Sequence, residues 1–239
     1  KIIIMTEIKS NLTCVSGYWK VKNKHNNYDD WFDKTLMINC PYIFFSDKET
    51  ITFIKKYRKN LPTFYIEMNL DEFETYKYKD KMITHPIHCP SIELNLIWNE
   101  KIFLIKRALE INPYLSDFFI WVDAGICSYR INSPPKKIFP DENKLKKLPN
   151  DKFIFCSSNT YNPNYVLPNN YYHSVSGTFI LHKNIIKDFT KLYEKYLDKL
   201  LDKNNIWTDQ VILTHMFKDK NDLFFKLCEG YGSIIPYLY

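Results

Sequence analysis

The stretch that decides the fold is "FFIWVDAG", residues 118–125. Five apolar residues run directly into Asp123, Ala124 and Gly125. An apolar run of this length fits a strand that is buried on both faces, as in parallel sheets. Asp and Gly then favour a turn. The sequence therefore predicts a carboxylate at the carboxyl end of a buried strand, and a plain turn is the alternative explanation of the same three residues.

Strand and helix patterns alternate on both sides of this stretch. Further strands are predicted at "NLTCVSGYW", "PYIFFS", "TFYIEM", "KFIFC", "SVSGTFILH" and "LFFKL". Helices are predicted at "DKETITFIKKYRKN", "IELNLIWNEKIFLIKRALEI", "NIIKDFTKLYEKYLDKLLDK" and "TDQVILTHMF". Ser91 caps the second of these helices and Asn112-Pro113 ends it. The pattern indicates an α/β protein with a mostly parallel, twisted sheet flanked by helices, in one domain over residues 1–239.

Composition narrows the class of protein. The 239 residues are 45% hydrophobic, which is enough for a core, and the net charge is 33 − 27 = +6. That excess is modest, and a lysine-rich surface accounts for it. The six cysteines form no CxxC pair, so a structural zinc site is disfavoured, and free thiols predict a reducing, cytoplasmic location. No run of residues approaches a membrane span.

Polar residues follow three of the predicted strands. They are Ser16-Gly17-Tyr18, Ser46-Asp47 and Asp123. Ser46 and Glu49 fit a capping box that would start a helix there. Ligands of open α/β sheets bind outside the carboxyl ends of the strands, so these groups are candidates for a binding rim. The chain has no GxGxxG, GxxxxGK[ST] or GxSxG motif, which disfavours the binding modes that depend on them.

A strand-end carboxylate suits a hard divalent cation. Asp123 could hold Mg²⁺ or Mn²⁺ on a substrate diphosphate, and lysines would complete the neutralisation of charge. Lys20, Lys22 and Lys24 follow the first predicted strand. Lys101 shares an apolar helix stripe with Ile97 and Leu104, so its ammonium must either pair with an acid or reach solvent.

The segment "IWNEKIFLIKRALEINPYLSDFFIWVDAG" resembles the bacterial HtrL/YibB and WlaTC-type glycosyltransferase family. The shared pattern is a helical lysine (Lys101), an Asn-Pro-aromatic stop (residues 112–114) and Trp-hydrophobic-Asp-Ala-Gly (residues 121–125). The segments "TCVSGYWKVKNKHNNYDDWF", "PYIFFSD" and "TDQVIL" also fit, so the resemblance extends over nearly the whole chain.

The resemblance implies a GT-A fold and a UDP-sugar donor, with Mn²⁺ or Mg²⁺ held by a variant of the Asp-x-Asp motif. This chain has Gly125 where the second acid would stand, so Asp123 is alone. His215 is predicted as the second metal ligand. His173, Asp209 and Glu229 are alternatives, and an ordinary core or surface histidine is the other explanation of His215.

The resemblance also implies the site residues. Asp209 and Lys101 are predicted as the catalytic residues, with Asp209 as a carboxylate beside the anomeric carbon, although an acid at a helix start also suits the helix dipole. Asp47 is a candidate for the nucleobase, with the same dipole alternative. Lys20 would reach phosphate, and the backbone at Gly177 would approach the sugar. The full set of predicted donor-binding residues is Thr13, Ser16, Gly17, Tyr18, Lys20, Asp47, Trp98, Asp123, Ala124, Gly125 and Gly177.

A narrower likeness is to giant-virus enzymes that transfer glucose from UDP-glucose to galactosyl-hydroxylysine of collagen with retention, which would place the protein in the host cytoplasm. A bacterial-type surface-glycan transferase is the alternative. Either acceptor is a glycan or a glycosylated peptide, and residues 71–90 and 157–173 are predicted to decide acceptor choice. A non-catalytic glycan- or nucleic-acid-binding module and a nucleotidyltransferase are the other classes. Nucleic acid is not expected, because the chain has no RNP-like or KH-like motif.

Overall fold

The computed structural model describes residues 8–25, 28–203 and 208–239. One seven-stranded sheet has the strand order β3-β2-β1-β4-β6-β5-β7. The strands are β1 (Leu12–Gly17), β2 (Tyr42–Ser46), β3 (Thr63–Glu67), β4 (Phe118–Trp121), β5 (Phe153–Ser157), β6 (Val175–His182) and β7 (Phe224–Glu229). The helices are α1 (Phe32–Thr35), α2 (Lys48–Arg58), α3 (Ile92–Ile111), α4 (Glu142–Leu145), α5 (Lys183–Leu201), α6 (Asp209–Asp219) and α7 (Ile234–Leu238).

The strand directions confirm the predicted, mostly parallel sheet. β1 pairs in parallel with β2 and β4, β2 with β3, and β5 with β7. β6 runs antiparallel to both β4 and β5. All eight residues of β6 are buried, so its sequence carries no alternation that would have distinguished it from a parallel strand.

Helices cover both faces of the sheet because successive strand residues point to opposite sides. On one face, Val15 and Phe119 pack in the same core cluster as residues of α3, α5 and α6. On the other face, Cys14 and Ile120 join a cluster with residues of α1, α2, α4 and α7. No helix in the described ranges is both long enough and apolar enough to cross a membrane.

The start of α2 corrects one prediction. Ser46 is still part of β2, and its hydroxyl donates to the carbonyl of Tyr18. Asp47 is the N-cap instead, because its carboxylate accepts a hydrogen bond of 2.8 Å from the amide of Thr50. The predicted capping box on Ser46 is therefore wrong. By contrast, α3 begins after Ser91, which accepts from the amide of Leu94, as predicted.

Residues 71–90 are more ordered than the sequence suggests. They include most of the 3₁₀ helix Leu70–Glu72 and all of Glu74–Lys81. The buried carboxylate of Glu100 accepts hydrogen bonds from the amides of Glu74 and Thr75 and from the Thr75 hydroxyl. Burial raises the pKa of Glu100 to about 7, although these hydrogen bonds act in the opposite direction. Glu100 therefore anchors this segment to α3.

The chain leaves β1 toward β2 and β3 on one side, while β4 lies on the other side of β1. The order of the sheet therefore reverses between β1 and β4. Such a switch point opens a crevice outside the carboxyl ends of the two strands, where α/β proteins bind their ligands.

Candidate functional site

A cavity of about 460 Å³ lies at this switch point, and we call it the rim cavity. It is bordered by the ends of β1 and β4, the starts of α3 and α6, and the loops that follow β5 and β7. Its lining includes Gly17, Tyr18, Lys24, His88, Trp98, Lys101, Asp123, Ala124, Gly125, Arg130, Tyr171, His173, Asp209, Gln210 and Tyr231.

Lys101 lies at the floor of the rim cavity between two carboxylates. Its Nζ is 3.2 Å from Oδ1 of Asp123 and 3.3 Å from Oδ2 of Asp209, and its side chain is only 4% exposed. Burial acts to lower the pKa of Lys101, but the two carboxylates outweigh it, so the pKa is raised. The lysine is thus paired with acids, and the alternative in which its ammonium reaches solvent is wrong.

Gly177 of β6 makes room for this ammonium. Nζ of Lys101 lies 3.4 Å from the carbonyl oxygen of Gly177. A Cβ at position 177 would lie 2.9 Å from the same Nζ, which is too close for an ordinary contact. The predicted close approach at Gly177 therefore involves Lys101 in this structure.

Asp123 combines a turn with a carboxylate that faces the rim cavity. Its carbonyl oxygen accepts from the amide of Ile126 at 2.9 Å, which closes a turn after β4. Its Oδ1 accepts a 2.8 Å hydrogen bond from Nε1 of Trp121. The side chain remains 22% exposed, so it can still reach a ligand.

Asp209 is almost fully buried at the start of α6. Oδ1 accepts from the hydroxyl of Thr208 at 2.9 Å, and Thr208 also caps the helix. Among the described residues Oδ2 has no hydrogen-bond partner of ordinary geometry, and it lies 3.3 Å from the ammonium of Lys101. Burial raises the pKa of Asp209, and Lys101 partly offsets that rise. A buried carboxylate oxygen without a full set of donors is expected at a ligand site more than at a simple helix start.

The donor set decides which cation the site could hold. Within the described ranges, no three His, Cys, Asp or Glu side chains form a group that could bind a metal ion. Magnesium-like cations are often held by one or two carboxylates together with substrate phosphates. Asp123 therefore fits a cation that arrives with a diphosphate, and does not fit one held by the protein alone.

The structure does not support His215 as the second metal ligand. Its ring bonds to the backbone of Leu167, and burial is the main cause of a lowered pKa. Position 215 lies six residues beyond Asp209 on α6, about 9 Å further along the helix axis. Two of the three alternatives have other partners, since His173 bonds to Ser158 and Glu229 pairs with Lys226, while Asp209 pairs with Lys101.

Several predicted donor residues lie away from the rim cavity. Thr13 is near the amino end of β1, and its hydroxyl bonds to that of Ser116 at 2.7 Å. Ser16 is buried within the sheet. Lys20 and Asp47 line a different cavity of about 420 Å³. Thr13, Lys20 and Asp47 therefore do not line the rim cavity, and a role for them in donor binding stays a prediction.

The cavity wall also contains charged residues that the sequence analysis did not assign. Lys24 places its ammonium 5.8 Å from the ring centre of Trp98, and burial lowers its pKa against the attraction of Asp123. Arg130 stacks on Trp31 at 3.9 Å and donates to the carbonyl of Gly125. The run of lysines after β1 was the available signal for Lys24, whereas nothing in the sequence pointed to Arg130.

Comparisons with known proteins agree with this architecture. The chain is similar to mouse xyloside xylosyltransferase 1 in its apo form, with 15% identity and a TM-score of 0.54, over 90% of this chain and 84% of that one. It is also similar to the galactosyltransferase LgtC in complex with donor and acceptor sugar analogs, with 10% identity and a TM-score of 0.52, over 92% and 72% of the two chains. These likenesses confirm the GT-A type of fold.

The sequence assigns the family. The profile of the HtrL_YibB family, described as "Bacterial protein of unknown function", matches residues 64–233. The chain belongs to this family. No curated protein matches it.

Proposed function

We propose that the protein is a glycosyltransferase that moves a hexose from a UDP-sugar to a hydroxyl group. The observation that carries the proposal is the Asp123–Lys101–Asp209 cluster at the floor of the rim cavity. Lys101 and Asp209 are almost fully buried, and burying charged groups is costly, so a pair of this kind beside a cavity is more easily explained by a role in function. The GT-A fold and the position of the cluster at the switch point support the same conclusion.

In this proposal the donor diphosphate lies near Asp123. Gly17 and Tyr18 at the end of β1, and Ala124 and Gly125 after β4, border the cavity, and we assign the nucleoside to this part of it. A divalent cation, Mn²⁺ or Mg²⁺, would be held by Asp123 and the diphosphate, and would supply positive charge to the leaving phosphate. Lys24 and Arg130 add positive charge in the same region.

Asp209 acts on the acceptor side of the reaction. Lys101 favours its ionised form despite burial, so the carboxylate of Asp209, which borders the rim cavity, can accept the proton of the attacking hydroxyl. The bond between the anomeric carbon and the phosphate oxygen breaks with its electron pair leaving on UDP. For retention, the acceptor oxygen bonds to that carbon on the same face from which UDP departs, and the hydroxyl proton passes to Asp209 and then to solvent.

The proposal also covers the sugar, the acceptor, the stereochemistry of transfer and the location of the protein. The likeness to giant-virus enzymes supports glucose as the sugar, galactosyl-hydroxylysine of collagen as the acceptor, and retention of the anomeric configuration. A bacterial-type surface glycan is the alternative acceptor. The cytoplasmic location is supported by six free cysteines. A purely binding module is the second candidate, and the partly unsatisfied Oδ2 of Asp209 favours an enzyme over it.

The test is UDP release from individual UDP-sugars in the presence of Mn²⁺, with and without EDTA. We expect one UDP-hexose to release UDP even with water as acceptor, and EDTA to stop the release. Asp123→Asn should abolish metal-dependent UDP binding. Asp47→Asn is the matched control, since Asp47 also follows a strand but lies outside the rim cavity. Absence of both UDP release and a UDP-induced thermal shift in the unmodified protein would refute the proposal.

A further inference from the structure

Two cysteines lie opposite each other on neighbouring strands of the sheet. Cys156 of β5 and Cys228 of β7 are register partners in a parallel pair of strands. Adjacent strands are about 4.8 Å apart, and a disulfide joins Cα atoms about 4.4–6.8 Å apart, so these two backbones are within its reach. Both residues are free thiols in this structure. Neither lines the rim cavity, and the proposed reaction uses neither of them.

An extra residue in β7 brings the two thiols to the same face of the sheet. The register with β5 shifts by one residue just before Cys156, so Leu227 is the extra residue of a bulge. Cys156 is buried in the core cluster on the face covered by α1, α2, α4 and α7, and Leu227 and Cys228 both pack against that cluster. Without the extra residue, Cys228 would stand opposite Ser157, and its thiol would point to the other face.

The surroundings of Cys156 favour its thiolate. Its Sγ lies 2.9 Å from the hydroxyl oxygen of Ser176. Hydrogen bonding from the thiol of Cys228 is the largest of the effects that lower the pKa of Cys156 to about 6, and burial acts against it. The Ser176 hydroxyl and the amides of Ile234 and Gly232 lower that pKa further. The contact with Cys156 raises the pKa of Cys228, so the shared proton stays on Cys228. Cys156 is therefore the nucleophile of the pair, because the thiolate is the form that reacts.

The pair lies at the base of a turn that follows β7, residues 230–233, which we call the Tyr231 loop. Gly230 and Gly232 have φ of +100° and +73°, a conformation that favours glycine. The amide of Gly230 donates to the carbonyl of Ser157 at 2.9 Å. The loop therefore begins beside both cysteines, since Ser157 follows Cys156 directly in the chain.

The Tyr231 loop reaches the floor of the rim cavity. Tyr231, between the two glycines, borders the cavity. A Cβ at position 177 would lie 3.7 Å from the Tyr231 hydroxyl and 3.7 Å from Oδ2 of Asp209, so the phenol and this carboxylate are neighbours. A change at the base of the loop would therefore move the phenol relative to Asp209.

We propose that Cys156 and Cys228 form a reversible disulfide when the protein meets a hydroperoxide, and that this bond restrains the Tyr231 loop. The cross-link and the restraint stand without the proposed function. The consequence for transfer, in which the redox state regulates the site at the rim cavity, rests on that function. Disulfides in reducing compartments are usually transient and redox-sensing, which fits a pair that is free in this structure.

The oxidation passes two electrons from the pair to the peroxide. The thiolate of Cys156 attacks one peroxide oxygen, the O–O bond breaks, and the departing hydroxide takes up a proton to give water. A sulfenic acid remains on Cys156. The sulfur of Cys228, which is partly exposed and opens the pair to solvent, then attacks the sulfenic sulfur. The hydroxyl group leaves with the thiol proton as a second water, and an added dithiol later reverses the bond by exchange.

Mass spectrometry tests the cross-link. The reduced protein is treated with hydrogen peroxide, the remaining thiols are alkylated in denaturant, and a tryptic digest is analysed without reduction. Trypsin places Cys156 in peptide 153–183 and Cys228 in peptide 227–239, each with no other cysteine. We expect these two peptides to be joined, with the loss of two hydrogens, before any other pair of cysteines reacts. Peroxide treatment that leaves the two peptides separate, or that links either of them to Cys127, would overturn the proposal.

Cys228→Ser removes the partner and nearly keeps the size of the side chain. We expect the joined peptide to disappear and the peroxide to carry Cys156 on to the sulfinic acid. Cys127→Ser is the matched control, because Cys127 is also a partly exposed free thiol and donates to the carbonyl of Tyr231 at 3.3 Å, but lies outside the β5–β7 pair. The link should form at the same rate in this control, and its loss there would contradict the assignment.

Hydrogen exchange tests the restraint and needs no turnover. We expect the amides of residues 227–239 to exchange about tenfold more slowly in the cross-linked protein, and to recover when dithiothreitol breaks the bond. Unchanged exchange in the cross-linked protein would overturn the restraint on the loop.

UDP release separates this proposal from the proposed function. We expect release to fall by about threefold or more on cross-linking, to recover with dithiothreitol, and to be insensitive to the same peroxide treatment in Cys228→Ser. An equal loss in Cys228→Ser, or unchanged release in the cross-linked protein, would remove the regulatory role and leave the proposed function intact. Absence of UDP binding in the reduced protein would remove the proposed function, and the mass and exchange measurements would still decide on the disulfide.

Discussion

Among the residues that the structure describes, one arginine and one lysine are buried, in very different surroundings. Arg58, the last residue of α2, is 1% exposed and donates to four backbone carbonyls and to the hydroxyl of Thr63. Its guanidinium also stacks on the ring of Tyr42 at 3.7 Å. Lys101 is equally buried, but its partners are two carboxylates and the carbonyl of Gly177.

The difference separates a residue of the fold from a residue of the site. The carbonyls bound by Arg58 lie just before β2 and β3, at the amino ends of those strands, and no acid is needed to hold it. Lys101 lies at the opposite, carboxyl edge, where it borders a cavity and one partner oxygen lacks a full set of donors. Burial of a charge alone therefore does not indicate function, whereas burial beside acids at a binding crevice does.

The largest expected effect is on stability, from Arg58→Met. The change leaves several buried carbonyl oxygens without a donor, and each such group costs about 1–3 kcal/mol. We expect the free energy of unfolding, measured in urea, to fall by about 3–5 kcal/mol. A fall below about 1 kcal/mol would show that Arg58 does not hold these connections together.

The next effect is on turnover, from Asp209→Asn. This change removes the proton acceptor and one counterion of Lys101 while keeping the size of the side chain. We expect transfer to fall by about 10²- to 10³-fold, or about 2.7–4 kcal/mol in the activation barrier, with UDP affinity unchanged. Stopped-time assays of UDP release together with calorimetry measure both quantities. Full turnover in a folded variant would remove Asp209 from the chemistry.

A smaller effect is expected from Gly177→Ala. The added Cβ would lie 2.9 Å from Nζ of Lys101 and must displace the ammonium from its carboxylates. We expect turnover to fall by about tenfold, which corresponds to about 1.4 kcal/mol, while the melting temperature changes little. Unchanged turnover would mean that the exact position of this ammonium is not important.

The smallest effect is expected from Asp47→Ala. Asp47 accepts from the amide and the hydroxyl of Thr50 at the start of α2. Loss of an N-cap costs about 1 kcal/mol of stability. UDP affinity should not change, because Asp47 lies outside the rim cavity, and a clear loss of UDP affinity would return it to the donor site.

Much of the fold could be predicted because its signals are local in sequence. Apolar patterns mark the strands and helices, and capping or turn residues mark their ends. The apolar strands, the Ser91 cap and the end of α3 at Asn112 all follow from residues that are close in sequence. The antiparallel direction of β6 could not be predicted. Every residue of that strand is buried, and a parallel strand would show the same continuous apolar pattern. A single domain over residues 1–239 stays a prediction.

The site was less predictable because it depends on which residues meet across the fold. The strand-end rule placed Asp123 at the rim, but it also favoured Asp47, which caps a helix instead. Thr13 lies near the amino end of β1, so the same strand-end rule argues against it, and only the resemblance suggested it. The meeting of His88 with Tyr171 joins segments about eighty residues apart, and no local pattern encodes such a contact.

The central claim is that Lys101 serves the reaction and Arg58 serves the fold. The most direct measurement is UDP release per folded molecule for Lys101→Met and Arg58→Met, at a low temperature where circular dichroism shows both to be folded. We predict that Lys101→Met loses at least a hundredfold in UDP release, while Arg58→Met retains most of it. Near-normal release by folded Lys101→Met, or an equal loss in both variants, would contradict the account.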